Sequence, residues 1–196
     1  AGVNPQNGNA LWRNEEGLLT ENYAEARRIN AGSPEPLWTG GFNTELSWKG
    51  ISLGIQLEAR YGNKVLNQDR SLFEADGAYG DSNIWKGALN YWKKPGDTNV
   101  LPKPVYNNSS NSSNISTRYL EDGSYLRIKD ITLAYNLPSK WTKKALMSGV
   151  RIYASALNLY TFHNMNYWDP EHGTTGATII SYPMTRSMIV GVDITF

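Results

Sequence analysis

The last segment of the chain, residues 182–196, has the clearest alternation of apolar and polar positions. From Met188 onward one parity is apolar throughout, while the other includes glycine, aspartate and threonine. Successive side chains of a strand point to opposite faces, so this pattern predicts a strand with one apolar face. That face includes Val192, Ile194 and Phe196, the aromatic residue on which the sequence stops.

A second alternating stretch predicts a β-hairpin over residues 36–62. The segments Leu37–Trp48 and Ile51–Tyr61 flank Lys49 and Gly50. The glycine can supply the positive φ that a two-residue hairpin turn needs. With this turn, the apolar side chains of both segments fall on one face and the polar ones on the other.

The register of this hairpin sets aromatic residues at both ends of its apolar face. It pairs Trp48 with Ile51 beside the turn and Trp38 with Tyr61 at the far end. Trp38 and Trp48 are separated by ~34 Å along a strand, which is ~25 Å of height for a strand tilted by about 40–45°. That height matches the apolar band of a membrane barrel wall, so we expect Trp38, Trp48 and Tyr61 at membrane interfaces.

Two further strands are predicted between the hairpin and the closing segment, at 118–138 and 150–162. In the first of them the apolar parity switches after Ile128, which indicates a bulge near Lys129 and Asp130. The second has no clean parity, because apolar residues occur at both odd and even positions.

Long polar segments separate these strands at 1–35, 63–117 and 163–181, whereas 139–149 is short. We expect little regular structure in the first segment apart from one helical piece, Tyr23 to Ile29. Outward loops of membrane barrels are long and inward turns are short. The long segments are therefore expected on the extracellular side, and the short turn and the chain end in the periplasm.

Composition excludes several classes of function. Lys plus Arg (19) balances Asp plus Glu (18), so there is no basic field for nucleic acid. The absence of cysteine excludes disulfides and thiolate metal sites. No run of about 18 apolar residues predicts a membrane-spanning helix, a test that is blind to barrel strands. The first residues lack the features of a signal peptide, so the sequence reads as if it began within a longer protein.

Candidate chemistry is sparse. His163, His172, Asp169 and Glu171 could bind a metal or flank a substrate, but their spacing fits no helical zinc motif and a solvated loop explains them better. There is no phosphate-binding loop and no nucleophile elbow, so we expect no catalytic residue, no metal and no cofactor. Loop aromatics could stack on sugars, grip a partner or pack on the barrel rim. They are Trp85, Tyr91, Trp92, Tyr167 and Trp168.

Five ordered sequence blocks carry a specific resemblance. They are WTGGF (38–42), EDGSYLRIKDITLAYNLP (121–138), VRIYASALNLYTF (150–162), WDPEH (168–172) and YPMTRSMIVGVDITF (182–196). Together they resemble the C-terminal end of the SusC/RagA family of TonB-dependent outer-membrane transporters. The Asn/Ser-rich run at 107–116 has no counterpart in that pattern.

The resemblance implies an all-β fold, the last five antiparallel strands of a transmembrane barrel of about 22 strands. It implies import of oligosaccharides or peptides across a Gram-negative outer membrane, with a SusD-like surface lipoprotein as partner. Phe196, Ile194 and Val192 would then form the barrel-assembly signal. The plug and the TonB-contact segment of the family lie outside these 196 residues. Contact with TonB is therefore expected through those other regions, and the plug and the rest of the barrel are expected as partners of this segment.

Two alternatives fit parts of the same pattern. A soluble or surface-tethered β-sandwich that binds glycans would also use the seven Trp and twelve Tyr residues. An outer-membrane hydrolase would need a Ser/His pairing that the sequence does not display.

Overall fold

The computed structural model describes residues 1–171, 176–178 and 182–196 of the chain. The strands, numbered in chain order, are β1 (Gly2–Val3), β2 (Ala10–Arg13), β3 (Leu19–Thr20), β4 (Trp38–Trp48), β5 (Ile51–Tyr61), β6 (Lys64–Leu66), β7 (Leu120–Asp122), β8 (Tyr125–Asn136), β9 (Gly149–His163) and β10 (Ser187–Thr195). The α-helices are α1 (Gln68–Phe73) and α2 (Ser139–Thr142), and single 3₁₀ turns occupy Tyr23–Glu25, Lys86–Leu89, Thr117–Tyr119 and Lys143–Ala145. Over the described ranges, no helix is long and apolar enough to cross a membrane.

The five long strands form one antiparallel sheet in the order β10-β9-β8-β5-β4. Each strand therefore pairs with its neighbour among the long strands of the chain, as in a meander. This is the five-stranded antiparallel architecture that the sequence predicts. In the described chain, β4 and β10 each have a partner on one side only.

The predicted register of the β4–β5 hairpin is confirmed. Trp38 pairs with Tyr61 at one end and Trp48 pairs with Ile51 at the other. Lys49 and Gly50 have φ angles of 47° and 87°, so both residues of the turn adopt the positive φ that matches the twist of the strands.

The predicted bulge is also confirmed, and it lies at Lys129. Neighbouring residues of β5 pair with Asp130 and with Ile128 and skip Lys129. The pairing with β9 also passes from Asp130 to Ile128. Lys129 therefore has no partner on either neighbouring strand. On β9 the bulge faces Asn158, whose φ is 51°, and Leu159. The extra residues explain why the parity of β9 could not be assigned from the sequence.

The bulge keeps each face of the sheet uniform along its length. The apolar face carries Trp38, Phe42, Leu46, Trp48, Leu53, Leu57, Leu126, Leu133, Ile152, Val190, Val192 and Ile194. Its side chains are largely exposed; Met188 and Val190 are exposed by 75% and 79%. A soluble protein buries such a surface in its core. The polar face carries Gln56, Glu58, Arg60, Tyr125, Arg127, Asp130, Thr132, Arg151, Ser155 and Asp193.

The chain divides into two compact units, which we call the loop unit and the sheet unit. The loop unit contains Ala1–Gly32 and Leu66–Leu120, and the sheet unit contains Ser33–Val65 and the remaining long strands. Within the loop unit, β1, β2 and β3 form a small antiparallel sheet. The expectation of little regular structure before residue 35 is wrong to that extent.

The predicted helical piece Tyr23 to Ile29 is also wrong in length, because the structure has only the 3₁₀ turn Tyr23–Glu25. Ala26 is already extended, with φ −63° and ψ 126°, and its amide donates to the carbonyl of Tyr23. The neighbouring Glu21 accepts hydrogen bonds from three amide side chains. The side chains of Asn9, Asn7 and Asn4 lie at 2.7, 2.9 and 2.6 Å and lower the pKa of Glu21. Local side-chain bonds of this kind compete with helix formation.

The interior of the loop unit is polar rather than apolar. The guanidinium of Arg118 donates to both carboxylate oxygens of Asp76, at 2.5 and 2.8 Å, and to the carbonyl of Glu74 at 3.0 Å. The carboxylate of Glu74 accepts from Arg70 at 2.9 Å. Beside them Tyr119 is fully buried, and this burial raises the pKa of its phenol. The loop unit buries few apolar side chains, and paired charges contribute to its stability instead.

Candidate functional site

The centre of the polar face is Arg127 on β8, which is fully buried. One guanidinium nitrogen donates to Oδ1 of Asp169, and the other donates to Oε2 of Glu171 at 2.6 Å. The backbone amide of Glu171 also donates to Oδ1 of Asp169 at 2.8 Å, which closes a tight turn around Pro170. A planar guanidinium can bind two carboxylates at once, so Arg127 fastens the segment 169–171 to the sheet.

The bulge extends this network. It presents Lys129, whose Nζ lies 3.0 Å from Oε2 of Glu58 and 3.2 Å from Oε2 of Glu171. The hydroxyl of Tyr125 donates to Oε1 of Glu58 at 2.7 Å. Bulges re-aim side chains in this way. Residues of β5, β8 and the segment after β9 are joined into one network of opposite charges.

A second cluster lies further along the polar face. The hydroxyls of Thr132 and Ser155 each donate to one carboxylate oxygen of Asp130, both at 2.8 Å. At its other side, the face has a shallow open notch where Gly41 presents no side chain. Its lining includes Thr39, Gly41, Gln56, Glu58 and Arg60. The polar face thus combines paired side chains with one open notch.

The residues predicted at membrane interfaces lie at the two ends of the apolar face. Trp38 and Tyr61 are paired and exposed at one end, which we call the loop end. Trp48 is exposed at the opposite end, which we call the turn end, and Nζ of Lys49 lies 4.6 Å from the centroid of its ring. Their position relative to a membrane stays a prediction.

The closing strand β10 is shorter than the predicted segment 182–196. Val192 pairs with Ile152 and Ile194 pairs with Val150, so both side chains belong to the apolar face. Phe196 follows the last paired residue and is exposed. The role of these residues as a barrel-assembly signal stays a prediction.

Three of the five loop aromatics are engaged within the loop unit. The indole nitrogen of Trp92 donates to the carbonyl of Pro5 at 3.2 Å, and its ring lies so close to Gly8 that an added Cβ would be 2.7 Å away. Trp85 stacks on Phe73 with centroids 4.8 Å apart. Tyr91 bridges to Leu101 and has Nζ of Lys93 5.4 Å from its ring centroid.

The other two aromatics belong to the sheet unit. Tyr167 is exposed and has a φ of 68°, an unusual conformation for a bulky residue. Trp168 is only partly exposed. The structure thus does not gather the five aromatics into one cluster, and their contact with substrate or partner stays a prediction.

The expectation of a solvated loop at Asp169 and Glu171 is wrong. Their side chains are only 14% and 22% exposed, because Arg127 and Lys129 bind them. His163 is the last residue of β9 and pairs with Tyr125, while His172 lies outside the described residues. Within residues 1–171, 176–178 and 182–196, no group of three His, Asp or Glu residues could hold a metal ion.

Sequence reasoning missed Arg127, although the signal was present. Arg127 lies on the wet parity of its strand, and its partners lie in the block WDPEH (168–172). Two acidic residues around a proline, combined with a cation on a polar sheet face, could have suggested a fastened loop.

No protein-family model matches the chain. Among curated proteins, it is similar to TonB-dependent receptor P3 of Formosa agariphila, with 30% identity over 182 residues, 87% of this chain and 17% of the relative. TonB-dependent receptor P26 of the same organism is 27% identical and covers 96% of this chain and 20% of the relative. The chain therefore spans about a fifth of the length of these relatives.

Solved structures of a peptide transporter match the whole chain. The structure of the RagAB peptide transporter has a TM-score of 0.83 and 30% identity, and the match covers 100% of this chain and 22% of that one. The RagAB peptide importer in its "open-open" state has a TM-score of 0.84, again at 30% identity, with 21% of that chain covered. The five-stranded sheet thus matches part of a barrel fold.

Proposed function

Because the chain is a C-terminal fragment of a SusC/RagA-like TonB-dependent transporter, we propose that it forms part of the wall and loops of an outer-membrane importer of oligosaccharides or peptides. The importer works with a SusD-like surface lipoprotein. The similarity of this chain to the RagAB peptide importer favours peptides over oligosaccharides as the substrate.

The observation that carries the proposal is the apolar face of the sheet. Large side chains from all five long strands are exposed on it, and aromatic residues lie at both its ends. Contact of such a surface with lipid is favourable, whereas contact with water is unfavourable. A glycan-binding β-sandwich would instead pack this face against a second sheet of its own, and among the described residues these side chains are exposed.

The polar face then lines the interior of the barrel. Its cations Arg60, Arg127, Lys129 and Arg151 are all paired with carboxylates. Within the membrane such pairing is what polar side chains require. The free edges of β4 and β10 continue into strands of the remaining barrel, because an open sheet edge is not stable in lipid.

The orientation follows from the lengths of the connections. The loop end adjoins the long segments 1–35, 63–117 and 163–181, which we place outside the cell. The turn end has the two-residue turn at Lys49 and Gly50 and lies in the periplasm. The plug and the segment that contacts TonB belong to other regions of the transporter.

The loop unit is the surface that we assign to the lipoprotein. It exposes Leu18, Leu19, Ile29, Tyr106 and Ile115. Exposed apolar side chains on an ordered loop unit are typical of a contact surface. Its packed tryptophans, Trp85 and Trp92, support the shape of the unit, while Tyr167 and Trp168 of the sheet unit are candidates for contact with the substrate.

The test uses surface substitutions in the full-length transporter. Deleting part of the loop at 85–104 is not a suitable test, because it would remove Trp92, which packs inside the loop unit, and would disturb the unit itself. We therefore compare Leu18→Asp with Leu19→Asp, as a double variant, against the control Glu15→Gln with Glu16→Gln in the same hairpin. Reduced co-purification of the lipoprotein and reduced uptake are expected only for the leucine variant. Unchanged co-purification and uptake in that variant would remove this surface from the proposed role.

A further inference from the structure

The connection between β8 and β9 is an exposed cationic hook at the turn end of the sheet. It consists of α2, the 3₁₀ turn Lys143–Ala145 and Leu146, which ends the turn in the left-handed conformation with φ 58°. Only Thr142 is buried in it. The amide of Met147 donates to the carbonyl of Thr142 at 3.1 Å, and the amide of Ser148 donates to Thr195 of β10 at 2.7 Å. The hook is therefore held in a defined shape.

Two large apolar side chains of the hook have no cover. Trp141 is 61% exposed and Leu146 is 89% exposed. A leucine with φ above zero is an unusual conformation, and nothing within the described chain shields it. Both residues lie in the connection that follows the end of β8 at Asn136, and Trp48 is exposed at the same end of the sheet. The turn end therefore carries exposed apolar side chains on the sheet and on the hook.

The charges of the hook are unpaired and of one sign. Lys140, Lys143 and Lys144 are exposed, and none of them forms a salt bridge with a described residue. Lys49 in the neighbouring turn is likewise unpaired and lies over the ring of Trp48. The segment from Leu137 to Val150 contains no acidic residue.

The polar face of the same unit makes the contrast clear. Its cations all have carboxylate partners, including Arg151 near the turn end, which pairs with Asp193 at 3.1 Å. Four lysines that have no carboxylate partner among the described residues lie at the same end as an exposed tryptophan and an exposed leucine. Together they are complementary to a surface with an apolar interior and anionic groups at its boundary. A phospholipid leaflet has this structure, and each lysine near an anionic leaflet strengthens attraction to it.

We propose that the hook is an interfacial anchor that binds the headgroups of anionic phospholipids, with Trp141 and Leu146 inserted among the acyl chains and Lys140, Lys143, Lys144 and Lys49 bound to lipid phosphates. This inference rests on the proposed barrel function, because it needs the apolar face to lie in a bilayer. It adds a lipid site and a preference for anionic headgroups. The lysine stems reach from the apolar boundary to the phosphates, as snorkelling side chains do.

The experiment uses the full-length transporter in nanodiscs of phosphatidylcholine with phosphatidylglycerol. Native mass spectrometry counts the phosphatidylglycerol retained by the protein. In the variant Lys140→Gln, Lys143→Gln and Lys144→Gln, retention at this site should weaken by about fivefold per lysine removed. The matched control is Lys86→Gln, Lys93→Gln and Lys94→Gln, which removes three exposed lysines of the loop unit and should leave retention unchanged.

A spin label at position 141, introduced as Trp141→Cys, gives an independent readout. We expect the label to be accessible to oxygen in the bilayer and shielded from a water-soluble nickel complex. A label accessible to nickel, or one shielded from both reagents by the plug or another protein, would overturn the inference, and so would equal retention of phosphatidylglycerol in both triple variants. Uptake measured on the same samples separates this failure from a failure of the proposed function, since transport can persist without the anchor.

Discussion

The two faces of the five-stranded sheet are stabilised in different ways. In the proposed barrel, each apolar side chain contributes through its own contact with lipid, and its place on this face follows from local alternation along the strand. The polar face depends on partners that are distant in sequence; Arg127 binds Asp169, which is 42 residues away. The apolar face should therefore tolerate exchange between apolar residues, whereas the polar face should be sensitive to the loss of a buried partner such as Arg127.

Inserting one alanine between Leu133 and Ala134 should have the largest effect, because one extra residue in the regular part of β8 shifts its register by one position. Residues Tyr125 to Leu133 would then exchange faces, and Arg127 would be placed on the apolar side. We expect the full-length transporter carrying this insertion to be absent from the outer membrane, as measured by membrane fractionation and heat-modified gel mobility. The control is deletion of Lys129, the extra residue of the bulge, which leaves Ile128 opposite Leu57 and Asp130 opposite Gln56 and should still assemble. Normal assembly of the insertion variant, or failure of the deletion variant, would contradict the assignment of the faces and the bulge.

The substitution Arg127→Met should have the next largest effect on stability. It leaves Asp169 partly buried without a cation and Glu171 with Lys129 alone, and breaking a buried pair in this way costs about 3–5 kcal/mol. The measurement is the free energy of unfolding of the full-length transporter in detergent. Adding Asp169→Asn and Glu171→Gln should recover part of the loss, because the uncompensated charges are removed. A loss below about 1 kcal/mol for the single variant would show that the network does not hold the loop.

Substituting Leu53→Arg tests the apolar face directly. An arginine that faces lipid near the middle of the membrane costs about 2–4 kcal/mol. The matched control is Gln56→Arg on the neighbouring polar face of the same strand, which should be tolerated. Equal losses of unfolding free energy at the two positions would contradict the assigned faces.

The smallest effect is expected for Arg151→Met. Its partner Asp193 is 3.1 Å away, but both side chains are about half exposed to solvent. Exposed pairs contribute about 0–1 kcal/mol. A loss as large as that of Arg127→Met would mean that burial does not distinguish the ion pairs of the polar face.

The difference between the faces also explains what could be predicted from the sequence. The β4–β5 register and the bulge at Lys129 follow from parity, because both are properties of neighbouring positions. The clamp formed by Arg127 on Asp169 and Glu171 depends on tertiary approach, and adjacent acidic residues in a polar loop look the same whether solvated or paired. The parity of β9 failed for a related reason, since its irregularity at Asn158 is set by the bulge on β8.

The loop unit was the least predictable region. Its interior consists of charge pairs such as that of Arg118 with Asp76, and polar residues carry no periodic signal that separates a polar core from a polar surface. The loop aromatics illustrate the same limit. Trp92 was a candidate for ligand contact, yet its ring packs against Gly8 and its nitrogen binds Pro5.

The most direct test of the central claim is a cysteine scan along β5, residues 51–61, in the full-length transporter reconstituted into liposomes. Each cysteine carries a spin label, and its accessibility to oxygen and to a water-soluble nickel complex is measured. We expect strict alternation, with lipid exposure at positions 53, 55, 57 and 59 and contact with water or protein at 52, 54, 56 and 58. Equal accessibility of the two sets to the same reagent would contradict the assignment of one face to lipid and the other to the barrel interior.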